Sequence, residues 1–112
     1  MIIKGEIGKS IQIITSFDMS AYTSLYIEAV PPSGRENVKQ FTASLGQALT
    51  NVTLEDGTVI ASVPVNQSMK YTTLLASDLD EIGTWTCVGV YINTNAGHHY
   101  KSLPTVINVL DD

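Results

Sequence analysis

The chain has 112 residues, 44% of them apolar and only 15% charged, with a net charge of −5. That length suits one domain spanning 1–112, with enough core to fold without staples, and the apolar fraction excludes a disordered chain. The six basic residues are scattered, which argues against nucleic acid and anionic membranes as partners.

Short strand signals follow one another, each bounded by turn residues. Met1 to Ile7 reads as a first extended piece stopped by Gly8. Ser10–Thr15 follows, then a polar break at Asp18-Met19-Ser20. Tyr22–Val30 alternates, with Leu25, Ile27 and Ala29 on one side and Tyr26, Glu28 and Val30 on the other. Pro31-Pro32-Ser33-Gly34 ends it with strong turn chemistry. Asn37–Ala43 is the next strand, and Ser44-Leu45-Gly46 reads as a break or one helical turn.

Ala48–Leu54 and Thr58–Val63 flank Glu55-Asp56-Gly57, the strongest hairpin signal in the chain. Met69–Leu75 follows. Ser77 to Glu81 reads as a helical turn, with Ser77 and Asp80 at capping-box spacing. In Thr84–Asn93, Trp85, Cys87, Gly89 and Tyr91 face one way and Thr86, Val88, Val90 and Ile92 the other. Apolar side chains on both faces mark a central strand. Asn93 to Gly97 is a loop, and His99–Leu110 is a last strand broken or bulged at Pro104. No 3.6-residue period persists over three turns. The fold class expected is an all-β antiparallel sandwich of about 7–9 strands.

Cys87 is the sole cysteine, so no internal disulfide is expected, and its apolar run marks it as a buried small hydrophobe. No Gly-x-Ser-x-Gly elbow or phosphate-cradling Gly loop occurs, so no enzyme and no cofactor is expected. His98 and His99 are adjacent. On a strand they point to opposite faces and cannot easily share a metal; in a loop they could, but no third ligand stands at a recognisable spacing, so no metal site is expected. Asp78, Asp80 and Glu81 read as an acidic corner and not a calcium loop. The candidates for an interaction surface are Met1, Ile2 and Ile3, as an apolar edge open to strand addition, and His98, His99 and Tyr100, as a loop-side contact patch. Met1-Ile2-Ile3 is too short for the apolar core of a signal peptide, so the sequence reads as a protein made in a cytoplasm.

Two resemblances sharpen these expectations. Glu81, Gly83, Trp85 and Cys87, at every second position, resemble the turn into strand F of immunoglobulin-type domains. Trp85 stands where that family usually has Tyr, and the partner Cys is absent. The resemblance implies an immunoglobulin-like sandwich without its disulfide. Gly5-Glu6-Ile7-Gly8, Asp18-Met19-Ser20 and Pro32-Ser33-Gly34, with Ile82-Gly83-Thr84-Trp85 at the penultimate strand, resemble the N-terminal domain of phage baseplate upper proteins and small tail-associated sandwich proteins. Glu6 replaces an Asp of that pattern and Met19 a Leu. This resemblance implies a virion structural protein, attached to the tail or baseplate and present in several copies, whose partners are other virion proteins. A capsid decoration or head-fibre component is the alternative within that class. A carbohydrate- or receptor-binding module is a further one, and an exposed Trp85 would favour it.

Overall fold

A computed structural model of the protein describes residues 2–53, 57 and 59–111. It contains eleven strands among those residues: β1 (Ile2–Ile3), β2 (Ser10–Ile14), β3 (Ser24–Val30), β4 (Lys39–Thr42), β5 (Ser44–Leu45), β6 (Leu49–Thr53), β7 (Val59–Val63), β8 (Ser68–Thr72), β9 (Gly83–Asn93), β10 (His98–Lys101) and β11 (Thr105–Leu110). A single 3-10 turn covers Arg35–Asn37. The protein is all-β, and its architecture is a β-sandwich.

The larger sheet runs β1-β11-β9-β3-β4, with β10 also paired to β9. The smaller runs β2-β8-β5. These orders match the G-F-C-C′ and B-E-D strands of the variable-type immunoglobulin arrangement. All pairs are antiparallel except β1 with β11, which is parallel (Ile2↔Val109, Ile3↔Leu110). β6 and β7 form a two-stranded ladder of their own, Leu49↔Val63 to Thr53↔Val59. Their antiparallel pairing agrees with the expected hairpin, while Leu54, Glu55, Asp56 and Thr58 of its connection lie outside the described residues.

Strand periodicity accounts for the core. Leu25, Ile27 and Ala29 of β3 and Trp85, Cys87 and Tyr91 of β9 point inward, against Ile11 and Ile13 of β2 and Met69 of β8. Ile107 and Val109 extend the layer. β9 lies between β3 and β11, central as its two apolar faces suggest. The sheets meet closely at Gly89: a Cβ there would sit 2.7 Å from Met69 Sδ and 3.1 Å from Ile13 Cγ2.

Several local expectations need correction. The first strand ends at Ile3, because a turn follows and the Glu6 carboxylate accepts a hydrogen bond from Ile3 N at 2.6 Å. Ser44 and Leu45 form a strand and no helical turn. Ala43 is buried at the point where the chain changes sheets, and Leu45 then pairs with Met69. The segment 77–81 is a series of turns without a helix, and its capping side chain is Asp78, not Ser77. The break expected at Pro104 is present, dividing the last strand into β10 and β11, while Ser102 still bonds Gly89 in both directions, N to O and Oγ from N, at 2.9 Å.

Candidate interaction surface at the loop end

The chain turns at two ends of the sandwich. One holds the segment between β8 and β9. Trp85 is fully buried, and its indole Nε1–H donates to the Glu81 carbonyl at 2.9 Å. Tyr makes this bond through its hydroxyl in immunoglobulin domains; here the indole does so, and Lys39 Nζ stands 5.7 Å from its ring centre. Asp78 Oδ2 accepts from Leu74 N (2.8 Å), Leu75 N (3.2 Å) and Tyr71 OH (2.6 Å). Burial opposes the charge on Asp78, but these bonds and the nearby Lys39 outweigh it and hold its carboxyl below the ordinary value. Burial, then the bond to Asp78, pushes the Tyr71 phenol up to about 12. Glu81 receives Ser33 N (3.2 Å) and Ser33 Oγ (2.8 Å), and Asp80 pairs with Lys39 at 3.1 Å. Gly83, at φ +128°, lets Pro32 approach: an added Cβ would lie 2.8 Å from Pro32 Cγ. The three carboxylates of the acidic corner are thus occupied by structural bonds.

The opposite end joins β2 to β3 through residues 15–23 and β9 to β10 through 94–97. Thr15 Oγ1 donates to the carbonyls of Phe17 (2.9 Å) and Gln67 (3.2 Å), which shapes the loop that presents Phe17. Asp18 accepts from Ser20 N at 2.7 Å, and hydrogen bonding from Ser20, its side chain first and then its amide, holds the carboxyl below the ordinary value. Thr23 ties the two loops together: its Oγ1 donates to Ile92 O (3.0 Å) and accepts from Thr94 N (3.1 Å). Asn93 Oδ1 accepts from Ala96 N, and Gly97 takes the left-handed conformation (φ +70°) that returns the chain into β10.

On that frame sits a cluster of rings. Phe17 meets Tyr91 edge-on at 5.1 Å and Tyr100 at 4.8 Å, the geometry that aromatic quadrupoles favour. Together with Gly97, His98 and His99 they line an open pocket of about 530 Å³. His98 pairs with Asn93 and His99 with Ile92, so the two imidazoles leave opposite sides of β10, and both are exposed. Among the described residues no three metal-ligating side chains come together.

The sequence candidates therefore separate. His98, His99 and Tyr100 come together with Phe17. Ile2 is 2% exposed and belongs to the core, and Ile3 is half-buried, both paired to β11 near Gly83. Ten residues of β9, about 33 Å of strand rise, separate Gly83 from Asn93 beside His98. Met1 lies outside the described residues. Phe17 escaped sequence reasoning; its one signal is an aromatic residue set in the polar stretch Thr15-Ser16-Phe17-Asp18. Compared with family models, curated proteins and solved structures, the chain matches none.

Proposed function

We propose that this domain is a non-catalytic docking module, a structural component of a phage particle that holds a neighbouring virion protein through its loop end. The observation that carries the reading is the pair of half-buried rings, Phe17 and Tyr100, packed on core Tyr91 beside exposed His98 and His99. Aromatic side chains offer contact area at low entropic cost. The loops that hold them are tied by Thr23, so little freedom remains to be lost on binding. The sole Trp is fully buried and cannot stack on a sugar, which favours a protein over a glycan as the partner. The resemblance to baseplate upper proteins favours the tail or baseplate as the place of attachment.

The test is the mass of the native assembly, with mass spectrometry of the particles the protein co-purifies with. The expected result is a fixed, multiple copy number beside tail proteins, lost when Tyr100→Ala and His99→Ala are combined. A folded chain that enters no particle overturns the reading. A copy number matching shell symmetry moves the attachment to the capsid.

A further inference from the structure

Among the described residues, the β6–β7 ladder shares no strand pairing with either sheet, and neither strand pairs with a third. The ladder is held at its base, where Asn66 N donates to Gly46 O at 3.1 Å and Gly46 N to Ser68 O at 2.9 Å. Val63, next to that base, is 2% exposed, whereas Val59 at the far end of β7 is 66% exposed. An isolated two-stranded ladder is marginal in water, and three or more strands are needed for a stable sheet.

The composition of this region is equally unusual. Between Lys39 and Lys70 the only charged residues are Glu55 and Asp56, in the segment joining the two strands. Soluble proteins guard an open edge with charges, above all Lys, or with Pro. β7 carries neither, and Thr58–Val63 is a six-residue run of high β-propensity without charge or proline, the pattern of a strand that recruits another.

We propose that β7 pairs antiparallel with β7 of a second copy of this chain, giving a continuous four-stranded sheet β6–β7–β7–β6 across a two-fold axis. Three observations select a second copy. The strand is self-complementary: a two-fold axis at Ala61 sets Val59 against the partner's Val63 and position 60 against 62, with no like charges opposed. Antiparallel pairing sets the two Thr53–Val59 ends of the ladders at opposite ends of the shared sheet. It also joins two marginal ladders into one sheet that meets the three-strand requirement on both sides. This edge is independent of the loop end proposed for docking, and either reading stands if the other fails.

Analytical ultracentrifugation of the purified chain across the micromolar range tests the proposal, with Val59→Lys and Ser62→Lys, both at exposed positions, as variants. Buried Trp85 reports through its near-ultraviolet circular dichroism that each variant is folded. The expected result is a reversible dimer whose dissociation constant rises at least tenfold in each variant. Register is read by cysteine: Ala61→Cys forms an intermolecular disulfide on oxidation, whereas Val59→Cys, displaced from its own copy by four residues along the strand, does not. Cys87 is fully buried and does not compete. A monomer at every concentration, a dimer indifferent to both lysines, or a disulfide at 59 without one at 61 overturns the proposal.

Discussion

The two ends of the sandwich use polar and aromatic side chains in opposite ways. At the end near Gly83, each functional-looking group has a structural partner: the Trp85 indole bonds Glu81 O, Asp78 caps two amides and holds Tyr71, and Glu81 fastens Ser33. At the loop end the rings pack on one another and leave His98 and His99 exposed. A carboxylate cluster or a conspicuous Trp is therefore no sign of a site by itself. What distinguishes a surface available for binding is a group whose bonding capacity the fold has not consumed.

The comparison is broken most severely at Trp85. Trp85→Ala removes the largest core side chain together with the corner bond, and is expected to cost about 3–5 kcal/mol in chemical denaturation; a loss within about 0.5 kcal/mol would place the core elsewhere. Next comes Asp78→Ala, which strands two backbone amides and the Tyr71 hydroxyl and is expected to cost about 1–3 kcal/mol.

Titration sharpens the same contrast. The Tyr71 phenol is raised from 10.0 to about 12, and burial raises the Cys87 thiol from 9.0 to about 12. Both groups must stay protonated in the fold. Their stabilisation is complete below the ordinary values and is lost as pH rises from there to about 12. Denaturation midpoints should fall over that alkaline window, with thiol labelling of Cys87 appearing only as unfolding does. Asp78 has the opposite sign. Its lowered value means its contribution is present above 3.8 and is lost as pH falls below it, so Asp78→Asn should flatten the acid limb of the stability profile. The smallest effect on folding is expected at the loop end. His98→Ala and His99→Ala should each stay within about 0.5 kcal/mol of the parent protein, while weakening incorporation into an assembly. A large stability loss there would mean that the imidazoles are structural after all.

Period-2 alternation was enough to read much of the fold in advance. The inward sets of β3 and β9, the central place of β9, the burial of Trp85 and Cys87 and the antiparallel pairing of β6 with β7 all follow from alternation and turn chemistry, which act over a few residues. Local pattern misled where a distant contact competed. Ser44-Leu45 looks like a break because its pairing partner is Met69, and Ser77 looks like the cap because the loop that places Asp78 beside Tyr71 is not visible in spacing.

By itself, then, the sequence determined the fold class and the inward faces of the long strands β3 and β9. Those depend on strand geometry, which repeats every two residues. Only the tertiary structure decided that Ile2 belongs to the core, that Phe17 joins Tyr91 and Tyr100, and that, among the described residues, β6–β7 pairs with neither sheet. Those depend on which residues, far apart in the chain, the two sheets bring together, and pairing across such distances leaves no periodic trace in the chain itself.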